Sequence, residues 1–97
     1  MDFLEQSQIK SDFRKPGLFA VILHNDDFTP MAFVKEILSV FFYMDNNKAD
    51  QVTLEAHIKG RAVCGVYNRD IAETRIDQAV EYARTHDHPL KWSIEAA

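Results

Sequence analysis

Leu18-Phe-Ala-Val-Ile-Leu-His24 runs directly into Asn25-Asp-Asp-Phe-Thr-Pro-Met31. The first run is too short for a helix, partly β-branched and continuously apolar, which predicts a strand buried on both faces. It stops at Asn25, Asp26 and Asp27, residues that favour turns through side-chain to backbone hydrogen bonds. Thr29-Pro30 then offers a capping hydroxyl and a proline for the first helical position. Met31, Val34, Ile37, Leu38 and Phe41 follow at helical spacing, so the pattern predicts a first helix over 30–43.

Further along, Asp45 can cap a second helix whose stripe is Ala49, Val52, Thr53 and Ala56, with Gly60 just past its end. RAVCGVY, Arg61 to Tyr67, reads as a second strand. Asp70 and Glu73 have capping-box spacing with Asp70 in the cap role, and Ala72, Ile76, Ala79, Val80 and Ala83 form the buried face of a third helix closed before Pro89. Leu90, Trp92 and Ile94 alternate with polar residues, which predicts a last strand with one wet face. Residues 1–16 mix acids and bases without a sustained period and end at Pro16-Gly17, the pattern of a flexible tail ahead of a core domain over 17–97. The expected fold class is α+β, a small three-stranded antiparallel sheet packed against three helices.

At 97 residues the chain has room for one domain. The longest apolar run, Leu18 to Leu23, is far below the roughly 18 residues needed to cross a bilayer, so a soluble protein with no membrane partner is expected. Met1 to Lys15 contains Asp2, Glu5 and Asp12 and no apolar stretch, which predicts neither a signal nor a transit peptide. Eleven basic residues, scattered, against fifteen acidic ones leave no phosphate-binding surface, so no nucleic acid is expected. The single cysteine, Cys64, permits no internal disulfide and suits a reducing, cytoplasmic location. A small acidic domain of this kind is expected to be a monomer.

Among polar groups, His24-Asn25-Asp26-Asp27 is the densest cluster. It reads either as a turn using Asn and Asp for local capping, or as acceptors set beside an oily wall. Such acceptors suit an ammonium, which offers three donors and no acceptor. His57, near the end of the second helix, is either a solvated histidine or a ring nitrogen completing that polar site. The His86-x-His88 pair lacks a third nearby ligand for zinc, and Cys64 inside an apolar strand reads as inert core. Phe33, Phe41, Phe42 and Tyr43 read as packing. No catalytic set emerges, and neither a metal nor a cofactor is called for.

The stretch Val21-Ile-Leu-His-Asn-Asp-Asp-Phe-Thr-Pro-Met-Ala-Phe-Val34 resembles the signature of the ClpS adaptor family. Further matches follow in order at Ala56-His57 before Gly60, at Arg61 to Tyr67, at Ala72-Glu73-Thr74 and at His88-Pro89-Leu90. The resemblance spans about residues 18 to 97 and implies a non-enzymatic adaptor. Such an adaptor binds N-degrons, proteins beginning with Phe, Tyr, Trp or Leu, and delivers them to the AAA+ unfoldase ClpA of the ClpAP protease. It implies that Asn25, Asp26 and His57 hold the free α-amino group, with Asp27 and Thr29 at the pocket edge near the first backbone groups. It further implies an apolar pocket of Leu23, Met31, Val34, Thr53, Ala56 and Leu90, and docking on the N-terminal domain of ClpA through Asp70, Glu73 and Arg75 at the third helix.

Departures from the family pattern carry expectations of their own. Thr53 and Ala56 stand where larger apolar residues such as Met and Val are usual, which predicts a wider, more polar pocket and a loss of preference for Leu relative to Phe, Tyr or Trp. Ala32 replaces a glutamate and should deprive Thr29 of a capping-box partner. The tail is short for delivery, and these features resemble a divergent second copy of the adaptor. Two other readings compete: a regulator that docks on ClpA without a working pocket, and a small metal-assisted hydrolase built on Asp26, Asp27 and His57, with His86 or His88 as a further candidate.

Overall fold

The computed structural model describes residues 17–97; the tail expected over residues 1–16 lies outside the described residues. Its elements are β1 (Leu18–His24), α1 (Met31–Phe41), α2 (Asn46–Lys59), β2 (Arg61–Asn68), α3 (Arg69–Thr85) and β3 (Lys91–Ala96). The strands form one antiparallel sheet in the order β2-β1-β3, which with three helices gives the α+β fold expected from the sequence.

The continuous apolar run of β1 is explained by its central place, because neighbours on both edges satisfy its backbone and Val21, Ile22 and Leu23 are at most 1% exposed. Val21 and Leu23 join the core with Val34, Ile37, Leu38 and Ala56 from the helices. Ile22 points to the other face, level with Val63 on β2 and Ser93 on β3. The β1 to β2 ladder slips once: Val21 lies opposite Gly65 and Ile22 opposite Val63, leaving Cys64 as the extra residue of a bulge. The slip lets Ala62 and Cys64 stay buried and brings Tyr67 against the core. On β3, Trp92 and Ile94 pack on the core while Lys91 and Glu95 are exposed, as the alternation predicts.

Helix ends show where local pattern and structure part. Asp45 caps α2 as expected, accepting from the Lys48 amide at 2.8 Å, and Gly60 closes it in a left-handed conformation at φ 91°. Thr29 does not cap α1: Pro30 holds the cap position without a side-chain bond, and the Thr29 hydroxyl donates to Asp26. No capping box forms there, so Ala32 deprives Thr29 of nothing. The helix ends at Phe41, short of residue 43, because Tyr43 turns to φ 57° and the Met44 amide folds back to the Leu38 carbonyl at 3.3 Å. Helix α3 is capped by Asn68, which accepts from the Ile71 amide at 3.0 Å, and not by Asp70, which lies in the first turn. Because β2 passes into α3 without a loop, the cap falls at the last strand residue, two positions before the spacing of Asp70 and Glu73 suggests.

Candidate functional site

A pocket of about 260 Å³ opens where β1 hands over to α1, with the second half of α2 as its opposite wall. Leu23, Val34, Thr53, Ala56 and Leu90 line it as buried residues, and Met31 lines it while remaining 44% exposed. Asn25, Asp26, Asp27, Thr29 and His57 supply polar atoms around the same cavity. Every residue assigned from the sequence to an α-amino group or a first side chain is therefore brought to one place.

Backbone ties explain how two segments distant in sequence meet here. The Asn25 amide donates to the Gly60 carbonyl at 2.9 Å, and the Gly60 amide donates to Ala56 within α2 at 2.9 Å. The turn after β1 is thus fastened to the end of α2, three residues beyond His57. Inside the turn, Asp26 accepts from the Phe28 amide at 3.0 Å on one oxygen and from the Thr29 hydroxyl on the other. A carboxylate has about four lone-pair sites, so both oxygens keep acceptor capacity. The Asn25 side-chain amide donates to Asp27 at 3.2 Å, which leaves its carbonyl oxygen free to accept. Among the described residues no ion pair engages Asp26 or Asp27; the pairs lie elsewhere, as Lys35 with Asp50 and Arg61 with Glu95. The arrangement offers acceptors and negative charge beside an enclosed apolar wall, the complement of a cation carrying a hydrophobic group.

Pro30 also lines the cavity, although sequence reasoning did not place it there, and so does His24, which the sequence put in the polar cluster without a role of its own. The His24 ring is bonded to the Ser93 hydroxyl at 2.7 Å, a partner that only the pairing of β1 with β3 reveals. At α3, Asp70 and Glu73 are exposed, and Glu73 pairs with Arg69 at 2.9 Å. Arg75 differs from these two. It is half-buried, with its guanidinium carbon 4.4 Å from the Tyr43 ring centre and 5.1 Å from that of Tyr67, and donates to the Phe41 carbonyl at 3.4 Å.

Burial pushes the Cys64 thiol up to about 12, so the thiolate a nucleophile needs is suppressed. His86 and His88 pack on Phe33, at 5.4 and 4.3 Å between ring centres. Among the described residues no group of three or more His, Cys, Asp or Glu side chains gathers to hold a metal, and no helix is long and apolar enough to cross a membrane.

Comparison with known proteins points in one direction. A family model described as "ATP-dependent Clp protease adaptor protein ClpS" matches residues 14–93. The ATP-dependent Clp protease adapter protein ClpS of Alkalilimnicola ehrlichii is 49% identical over 84 residues, covering 87% of this chain and 79% of that protein. Its namesake in Shewanella halifaxensis is 44% identical over 92 residues, covering 95% and 90%. Among solved structures, Agrobacterium tumefaciens ClpS2 bound to L-phenylalaninamide superposes with a TM-score of 0.82 at 37% identity, covering 86% of this chain and all of that one.

Proposed function

The chain belongs to the ClpS family of Clp protease adaptor proteins, which are not enzymes, and from that premise we propose that its pocket receives the first residue of N-degron proteins for delivery to the ClpA unfoldase of ClpAP. Asn25, Asp26 and His57 hold the free α-amino group, Asp27 and Thr29 meet the first backbone groups, and the first side chain lies among Leu23, Met31, Val34, Thr53, Ala56 and Leu90. Asp70 and Glu73, exposed at the start of α3, and the half-buried Arg75 are the docking residues toward ClpA.

The observation that carries this reading is the meeting of acceptors and apolar wall in one cavity sized for a single side chain. The Agrobacterium relative was solved with L-phenylalaninamide, a compound that combines a free α-amino group with an aromatic side chain. Burial of one large apolar side chain is worth about 2–3 kcal/mol, and each hydrogen bond from a charged ammonium about 1.5–3 kcal/mol. After the cost of ordering a peptide end, micromolar affinity, about −8 kcal/mol, is expected for short peptides.

Fluorescence anisotropy with peptides beginning Phe, Leu, Arg and acetyl-Phe tests the proposal. Free Phe binds; Arg and acetyl-Phe do not, because acetylation removes charge and donors and leaves Asp26 desolvated against a neutral group. Leu binds more weakly than Phe, since Thr53 and Ala56 leave the smaller side chain short of contact. Equal affinity for acetylated and free Phe peptides would overturn the reading.

A further inference from the structure

Met31 lines the pocket and yet stays open to solvent. It is 44% exposed, whereas its aliphatic companions Leu23, Val34, Ala56 and Leu90 are at most 6% exposed. As the first residue of α1 it is held at the rim, because the Phe33 and Val34 amides both donate to the Pro30 carbonyl, at 3.0 and 3.1 Å, and fix the helix start. A thioether is soft, polarizable and readily oxidised, and this one is set where both water and ligand reach the wall. The other sulfur atoms of the described residues are placed differently. Met44 is half-buried and packs on the core, and Cys64 is buried with its thiolate suppressed.

We infer that Met31 is a site of reversible oxidation by peroxide, whose sulfoxide weakens the hold of the pocket on aromatic first residues. This inference rests on the proposal that the pocket receives an N-terminal residue. In the step, a lone pair on Sδ attacks one peroxide oxygen: the S–O bond forms, the O–O bond breaks, and the other oxygen leaves as water with both protons. Sulfur is oxidised by two electrons and the peroxide is reduced by two. An apolar group thereby becomes a polar one with an acceptor oxygen. Water satisfies that oxygen while the pocket is empty, and an aromatic side chain entering the pocket strips the water away. The neighbouring turn offers little in its place, since Asp26 and Asp27 present acceptors, the Thr29 hydroxyl donates to Asp26 and the Asn25 side-chain amide donates to Asp27. The ligand's own ammonium is engaged by Asn25, Asp26 and His57. The sulfoxide is then buried unpaired against the ring, and the favourable contact between thioether and aromatic edge is lost as well.

The test treats the protein with dilute hydrogen peroxide, clears the peroxide with catalase and locates the added oxygen by peptide mass mapping. Binding of a methionine-free Phe peptide is then followed by anisotropy, with thermal unfolding as a check on the fold. Met31 takes up oxygen ahead of Met44, and affinity falls about five- to tenfold. The two methionine sulfoxide reductases, one for each sulfoxide epimer, restore it with dithiothreitol as reductant. Met31→Leu removes the sulfur, and whatever affinity it starts from, the same treatment leaves that affinity unchanged. Oxygen on Met44 before Met31, an oxidised Met31 that binds as well as the untreated protein, or an equal loss in Met31→Leu overturns the inference, with the binding site itself still standing. Where Met31→Leu binds too weakly to measure, the reductases decide: affinity that does not return when oxygen leaves Met31 overturns it. Untreated protein that binds no Phe peptide overturns the site reading on which the inference rests.

Discussion

Asp26 carries two loads at once. It holds the turn together through the Phe28 amide and the Thr29 hydroxyl, and it faces the pocket with the acceptor capacity that remains. These loads separate under substitution. Asp26→Asn keeps the size and an acceptor but removes the charge, and peptide binding is expected to fall at least tenfold because charge-assisted bonds are about twice as strong as neutral ones. Thr29→Val takes away only the hydroxyl that steers the carboxylate, and affinity should drop about three- to tenfold with thermal stability little changed; isothermal titration with a Phe peptide distinguishes the two. A Thr29→Val protein that binds as well as wild type would show that the turn orients Asp26 without help. The sequence made most members of this site legible because, Leu90 apart, they sit in two compact segments, Leu23 to Val34 and Thr53 to His57, each with its own local pattern. It hid the role of Thr29, since a threonine before a proline looks the same whether its hydroxyl caps a helix or braces an acid three residues earlier. Ser93, the partner of His24, was equally hidden, as two residues 69 positions apart in sequence meet only through strand pairing.

Helix α2 is the element on which the site depends most. Its two ends are set by Asp45 and Gly60, both legible as punctuation because caps are decided by the residue itself and its nearest neighbours. The opposite holds at α3, where Asn68 takes the cap from Asp70 because the strand ends there, a fact of tertiary pairing. Gly60 combines a left-handed backbone with a carbonyl that anchors Asn25. A Cβ at Gly60 meets nothing within 4 Å, so Gly60→Ala tests backbone strain without a steric clash. A loss of about 1 kcal/mol in unfolding free energy is expected, measured by urea titration. Relaxation of that strain would also move the anchor of the turn, so peptide affinity should fall with stability; a variant that loses stability and retains full affinity would uncouple helix end from site. The β2 bulge was not legible in RAVCGVY, because the run contains no signal telling which residue the partner strand skips.

For the molecule as a whole, the sheet is the frame and β1 its axis, buried on both faces and joined to both other strands. Its place at the centre was foreseeable from unbroken apolarity, while the order of its neighbours was not, since either edge accepts an antiparallel partner equally well. The bulge gives this frame a pH-sensitive weak point by leaving Cys64 inside. Burial raises its thiol from 9.0 to about 12, so the folded state holds the proton more tightly than the unfolded chain does. The stabilisation this represents is fully present below pH 9 and is lost as pH climbs toward 12. Tyr67, nearby, is raised from 10.0 mainly by burial and acts in the same sense. Unfolding free energies measured between pH 8 and 11 should decline, and Cys64→Ala should flatten the decline while lowering the plateau through the space it leaves. A slope unaltered by Cys64→Ala would assign alkaline lability to the tyrosines.

Because the Asn25 amide rests on the Gly60 carbonyl before any ligand arrives, the mouth of the pocket does not have to assemble during an encounter. Arrival then resembles that of any small peptide at a ready-made cleft, with rate constants that differ little from one first residue to the next. Under the proposed function, what distinguishes one protein end from another is dwell time, and selection works by how long each candidate lingers before it leaves.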